Sequence, residues 1–179
     1  MPDETSRGFL DVYIETERLR PVPINDGQAP EIFTSFTAEI TRYMHPRPAE
    51  NISETRQFID KSRGELIARV SLVMAILTKA EGELLGCGGL HEANTVRPIL
   101  GIWLKKSAHH MGYGREAIAA IVDWARKHLC GEGFRYPVDK RNLPSRRIPE
   151  ALGGRITRKF KSINMSGVEL DEIEYLIPW

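Results

Sequence analysis

Ile102-Trp103-Leu104-Lys105-Lys106-Ser107-Ala108-His109-His110-Met111-Gly112-Tyr113-Gly114-Arg115-Glu116-Ala117 is the stretch on which the reading of this chain turns. An apolar, β-type run enters a glycine turn, and the turn opens a long helix. The first backbone N–H groups of a helix have no partners within it, and the helix N-terminus carries roughly half a positive charge. Glycines let an anion reach those groups without meeting a Cβ. The stretch therefore suits a diphosphate, although a strand–helix turn without any ligand would use the same residues. Gly112-Tyr113-Gly114-Arg115-Glu116-Ala117 also fits the dinucleotide fingerprint G-x-G-x-x-A. That fingerprint opens a parallel βαβ unit, with an acidic residue about twenty positions on. Here it follows a meander in mid-chain. The acidic candidates are Glu132, in a glycine-flanked turn, and Asp139, which comes late. This context disfavours NAD.

Working outward, Val12, Ile14, Leu19, Val22 and Ile24 alternate loosely with polar residues and predict an opening strand that Asp26-Gly27 ends. Residues 1–8 read as a flexible tail and 9–179 as one domain. Ile32, Phe33, Phe36 and Ile40 have helical spacing over 29–40. Asn51 with Glu54 is a capping-box pattern opening a helix to about residue 68, with Ile52, Phe58, Ile59, Leu66 and Ile67 as its apolar face. Residues 70–77 and 84–90 read as a hairpin, and 99–104 as a third strand of the meander. Ala117, Ile118, Ile121, Val122 and Ala125 give the helix after the glycine turn a continuous apolar stripe, and Gly131 and Gly133 close it. A short strand over 134–139, weakened by Pro137, a helix over 143–152 and a hairpin turning at Ser166-Gly167 complete the chain. This order predicts a single α/β domain, a mixed sheet with helices on its faces.

Composition narrows the classes. Apolar (41%) and charged (27%) fractions are those of a globular protein, and a formal net charge of +1 argues against wholesale nucleic-acid binding. The basic residues Arg141, Arg146, Arg147, Arg155, Arg158, Lys159 and Lys161 read as solvated faces, unless they converge on an anion. Cys87 and Cys130 lie in apolar contexts and predict two buried thiols in a reducing compartment. The polar start lacks the basic and apolar regions of a signal peptide, and no apolar run is long enough to span a membrane. A cytoplasmic protein without metal or membrane partner is expected.

Four segments in order resemble one family. The opening Ile14-Glu15-Thr16-Glu17-Arg18-Leu19-Arg20, the strand Gly101-Ile102-Trp103-Leu104, the turn His109-His110-Met111-Gly112-Tyr113-Gly114 and the segment Asn142-Leu143-Pro144-Ser145-Arg146-Arg147-Ile148 with Glu150 and Leu152-Gly153 are similar to the GNAT N-acetyltransferases, in the branch that acetylates ribosomal-protein N-termini (RimJ/RimL-like). The resemblance implies a mostly antiparallel sheet splayed between strands 4 and 5, and acetyl-CoA as acyl donor. It places the pantetheine near Leu104 and Lys105, and the pyrophosphate on the turn His109, His110, Met111, Gly112, Tyr113, Gly114 and Arg115. Asn142 would bind the pantetheine amide or cap a helix. Ser145 would donate a hydrogen bond to the leaving thiolate or simply belong to a first helical turn. His109 stands where Gln or Arg is usual, Gly154 where phenylalanine is, which predicts a looser core there, and Pro149 where other branches carry a tyrosine acid.

Direct transfer needs a neutral amine, donors for the oxyanion and a proton for the thiolate. The oxyanion donor is expected to be a backbone N–H near Leu104. His91 and Glu92, at the end of the third strand, are the base candidates, although such residues are commonly just surface. An α-amine is roughly a tenth neutral at pH 7 and a lysine amine about 0.04%, which favours a peptide N-terminus over other amines. The acceptor is thus a peptide N-terminus or a small molecule, on a monomer or homodimer. Two other readings stand: a degenerate, non-catalytic acyl-CoA-binding module, and an NAD-dependent oxidoreductase.

Overall fold

The computed structural model describes residues 8–179, so the expected tail over 1–8 lies, Gly8 apart, outside the described residues. In chain order the elements are β1 (Leu19–Pro23), α1 (Ala29–Ser35), α2 (Ala38–Thr41), α3 (Ile52–Ile67), β2 (Leu72–Thr78), β3 (Leu84–His91), β4 (Ile99–Leu104), α4 (Tyr113–His128), β5 (Gly133–Asp139), α5 (Leu143–Ala151), β6 (Arg155–Ile163) and β7 (Glu169–Pro178). The strands form one sheet in the order β1-β2-β3-β4-β5-β7-β6. Every neighbouring pair is antiparallel except β4 and β5, which run parallel.

That parallel pair barely exists. β4 and β5 are in register only at Ile99↔Arg135, where the Arg135 N–H donates to the Pro98 carbonyl at 2.9 Å. Beyond it the strands part, as the resemblance implied. Successive N–H groups of a strand point to alternate edges, so the Pro137 nitrogen faces the same edge as that of Arg135. Pro137 therefore stands in the gap and removes no ladder bond. The same alternation runs along β4. The Lys105 N–H donates to Leu85 on β3 at 2.7 Å, so the N–H groups of Ile102 and Leu104 point the other way, into the gap.

Cross-strand neighbours share a face of the sheet. His91, Ile99 and Arg135 are successive neighbours, and Arg135↔Leu176 places Glu174 and Glu172 on their face by alternation. Glu65 and Lys61 of α3 act electrostatically on His91, so α3 covers this side. Tyr136 and Tyr175 point to the opposite face, where their hydroxyls meet Ser145 and Glu150 of α5. Helices thus cover both faces, with the gap passing between.

Several local expectations change. The opening strand shrinks to Leu19–Pro23. Phe9 and Ile14 are buried, but the Phe9 N–H caps Leu66 of α3 at 2.8 Å, and the Thr16 hydroxyl accepts from Leu19 N–H at 2.8 Å, folding the chain back. The helix over 29–40 breaks at Phe36, whose ring turns onto Trp103 at 4.8 Å. On α3 the buried side chains are Thr55, Ile59, Ser62 and Leu66, whereas Ile52, Phe58 and Ile67 are exposed; a stripe with two small polar residues lets the helix lie close. Its capping box is half made. Asn51 accepts from Glu54 N–H at 3.2 Å, while the Glu54 carboxylate turns to Glu50 N–H and Arg47. Cys87 is buried and its thiol is pushed up to about 12 by desolvation, but Cys130 is exposed, beyond the end of α4. The core is not looser at Gly154: a Cβ there would come within 2.8 Å of the Pro149 carbonyl oxygen. The chain end is core, with Ile177 buried and Trp179 stacked on Phe134 at 4.5 Å.

Two glycines give opposite predictions. A Cβ at Gly64, exposed inside α3, meets nothing within 4 Å, whereas one at Gly89 would lie 1.8 Å from the Leu72 carbonyl oxygen. Gly64→Ala is expected to stabilise the protein by about 0.5–1 kcal/mol. Gly89→Ala is expected to destabilise it by roughly 2 kcal/mol or more. Urea midpoints of the two variants check both signs.

Candidate active site

The glycine turn is braced from the far end of the sequence. Gly112 caps α4 at φ 80°, a left-handed conformation that favours glycine. A Cβ at Gly114 would come within 3.2 Å of Ile148 Cδ1 and 3.6 Å of Leu104 Cδ1, so this position sets how closely α4, α5 and β4 approach. In the first turn of α4, the Glu116 carboxylate accepts from the Thr16 hydroxyl at 2.5 Å, the Arg18 N–H at 3.1 Å and Arg18 Nε at 2.7 Å. Arg18 also donates to the Met111 carbonyl at 3.0 Å and lies over the Tyr113 ring. Burial pushes the Glu116 carboxyl up, but the bonds from Thr16 and Arg18 outweigh it and hold its pKa below the ordinary value.

Of the turn residues, Met111, Gly112, Tyr113, Gly114 and Arg115 surround the helix start that the sequence marks out. His109 turns inward, its Nε2 2.8 Å from the Leu104 carbonyl oxygen, so its ring steadies the end of β4. His110 is exposed at φ 61°. Lys105 has its N–H on Leu85 and its ammonium on Glu83 at 2.6 Å; of the Leu104–Lys105 pair, only Leu104 presents its backbone to the gap.

The gap opens into a cleft of about 850 Å³, lined among others by His91, Leu104, Gly112, Tyr136, Ser145 and Glu172. It brings the turn, the β4 edge and the start of α5 together. Asn142 is the N-cap of α5, accepting from Ser145 N–H at 3.3 Å. Ser145 is in the first turn of that helix, and its Oγ lies 2.8 Å from the Tyr136 hydroxyl. Burial pushes the Tyr136 phenol up to about 12, against the pull of Ser145, so it keeps its proton at neutral pH. Sequence reasoning missed Tyr136. The alternation Phe134, Tyr136, Val138 along β5 carries the signal, since it aims all three at one face. It also missed the Arg18–Glu116 brace, for which no local pattern exists.

The base candidates separate. His91 lines the cleft; although exposed, its ring is held below the ordinary imidazole pKa by desolvation, against Glu65 and Glu92, and so is neutral at pH 7. The Glu92 carboxylate turns to Arg135 at 3.4 Å. Of the basic run, Arg141 and Arg147 line the cleft. Arg141 grips the buried Asp139 through two bonds of 2.8 and 2.7 Å, Arg146 meets Tyr175, and Lys161 meets Glu169. Nor does the dinucleotide reading find its acid: Glu132 pairs with Arg97, and Asp139 is held by Arg141. No cluster of three metal-binding side chains occurs among the described residues.

Glu116 carries a pH prediction. A carboxyl whose folded pKa is depressed stabilises the fold fully above its ordinary value of about 4 and loses that contribution as pH falls through the folded value. Glu116→Gln is expected to cost on the order of 2 kcal/mol at pH 7. The gap in Tm between wild type and variant closes as pH is lowered below about 4, which scanning calorimetry across pH measures.

Residues 18–155 match the family model described as Acetyltransferase (GNAT) domain. No curated protein matches the chain in sequence. Among solved structures, the GNAT-family acetyltransferase from Bacillus anthracis superposes with TM-score 0.80 at 21% identity, covering 93% of this chain and 98% of that one. The ribosomal-protein-S5-alanine acetyltransferase from Vibrio fischeri gives TM-score 0.79 at 19% identity, covering 94% and 97%. The microcin C7 self-immunity acetyltransferase MccE, solved in complex with acetyl-CoA and AMP, gives 0.81 at 17% identity, covering 92% and 94%. At such identities the structures speak for the fold, while the family match spans most of the chain: this protein belongs to the GNAT acetyltransferase family.

Proposed function

We propose that the protein moves an acetyl group from acetyl-CoA directly to a primary amine, either a protein N-terminal α-amine or a small-molecule amine. The observation that carries this reading is the gap between β4 and β5, with the braced helix start at its mouth and the Tyr136–Ser145 pair on its wall. The backbone N–H groups around Gly112 and Gly114 receive the pyrophosphate. The free edge of β4 gives the pantetheine a strand to pair with, and the Leu104 or Ile102 N–H serves the oxyanion. Ser145 donates a proton to the leaving thiolate and is resupplied by the Tyr136 phenol. This hydroxyl pair replaces the tyrosine acid absent at Pro149. His91, neutral and in the cleft, is better placed than Glu92 to take the proton of the amine. The neighbour acting on a ribosomal-protein alanine supports a peptide α-amine of the RimJ/RimL type, consistent with the larger neutral fraction of such amines at pH 7. No helix among the described residues is long and apolar enough to cross a membrane, which suits the cytoplasm, where acceptor and acetyl-CoA meet; a monomer or homodimer is compatible with this chemistry.

Calorimetric titration is expected to show saturable, micromolar binding of acetyl-CoA and none of NAD; absence of acetyl-CoA binding would sink the reading. Ser145→Ala is expected to lower kcat about a hundredfold with acetyl-CoA affinity unchanged. A pure binding module would have no turnover to lose.

A further inference from the structure

The face of the cleft opposite Ser145 holds a carboxylate that the roles above leave unused. Glu172 lies on β7, with its side chain 7% exposed, and it lines the cleft. Its Oε2 accepts from the Ser162 hydroxyl at 2.6 Å and lies 3.5 Å from His45 Nε2. Both contacts use the same oxygen, which leaves Oε1 for the cleft. No Lys or Arg among the described residues pairs with it. A buried glutamate is ordinarily matched by a permanent cation. Asp139, directly across the strand pair, shows the usual arrangement, with Arg141 bound at both oxygens. Like charges facing each other across strands repel, so Arg141 satisfies one carboxylate while the other keeps only a hydroxyl and an exposed imidazole.

The surroundings hold Glu172 firmly. His45 follows α2, and its loop is tied to the β6–β7 turn by Met165 N–H to the His45 carbonyl at 2.9 Å and by Asn164 Nδ2 to the Met44 carbonyl at 3.1 Å. The carboxylate is therefore preorganised, dry on one side and open to the cleft on the other. It also sits on the correct face. Ser145 and Tyr136 are on the α5 side of the sheet, and Glu172, His45 and His91 on the other, so a thioester threaded through the gap would meet its proton donor on one face and its nucleophile on the other.

We propose that Glu172 is the acceptor-recognition residue. It receives the primary amine as its ammonium form and aims it at the gap, where the ammonium gives one proton to His91 before the neutral amine attacks the thioester, and it makes the enzyme select amines over uncharged analogues. His45, 55% exposed, stands between this position and solvent. The role rests on the acetyltransferase reading above and adds the chemical class of group that the acceptor end selects.

The test uses the full-length chain and the isosteric Glu172→Gln, which retains an acceptor for Ser162. The probes are the tripeptide Ala-Gly-Gly, its desamino analogue propionyl-Gly-Gly, and spermidine. CoA release is measured with the amines, and the analogue is used as a competitor. Loss of a charge-assisted bond is expected to raise the KM for the accepted amine about ten- to a hundredfold, with kcat less affected and the Kd for acetyl-CoA unchanged. The wild type is expected to prefer the amine to the desamino analogue, and the variant to lose that preference, which a merely structural role would not alter. Glu172→Asp should restore part of it. An unchanged amine KM and preference in Glu172→Gln overturns the role of Glu172 alone. A parallel loss of acetyl-CoA affinity and thermal stability overturns it as well, since the residue would then be structural. Failure of the wild type to bind acetyl-CoA instead overturns the function itself. Intact acetyl-CoA binding with no CoA release to either amine overturns the recognition of primary amines.

Discussion

The early parting of β4 and β5 is the constraint on which the rest depends. Each strand is held along its length by another neighbour, β4 by β3 and β5 by β7, so neither can relax across the gap. Exposed backbone edges ordinarily invite pairing, because unpaired N–H and C=O groups are costly once shielded from water. Pro137 lowers that cost on one side by presenting no N–H. On the other side the Leu104 carbonyl is met by His109, while the N–H groups of Ile102 and Leu104 stay directed into the gap. The result is a stable sheet with a polar slot at its centre, suited to a ligand that brings its own amides.

The brace at Glu116 makes the slot usable. A helix start can bind an anion only if its first N–H groups stay in place. Here that depends on residues about a hundred positions away: Thr16 and Arg18 clamp the first turn of α4, and Arg18 also holds the Met111 carbonyl. The segment before β1 gives up its expected strand conformation to do so, and Phe9 and Ile14 are buried there without joining the sheet. Close packing of Gly114 against Ile148 and Leu104 then joins the turn, α5 and β4 into one unit, so that the start of α4 and the Ser145 hydroxyl keep a fixed distance.

Two carboxylates facing each other on β5 and β7 differ in how they are satisfied. Asp139 is closed off by Arg141 and by the Asp171 N–H, and serves the fold. Glu172 has no such cation and is open to the cleft. The asymmetry leaves one buried carboxylate facing a cleft whose other charged lining residues are mostly Arg and Lys.

The sequence by itself determined the order of elements, the meander, the glycine turn and the family, because these rest on local periodicity, on turn chemistry and on motifs a few residues long. It marked Pro137 and the first turn of α5 correctly, since proline geometry and capping are local. Tertiary structure decided which face each strand presents, and hence that Tyr136 meets Ser145, that Glu92 turns to Arg135, and that Glu172 and His45, from distant segments, share one end of the cleft. It also decided that α3 buries Thr55 and Ser62 and leaves Phe58 in solvent. Hydrophobicity ranks residues by what burial would gain, but how closely a helix can approach a sheet depends on side-chain size along the contact. The partner of a charged group depends on strand register, and neither is written in any single segment of the chain.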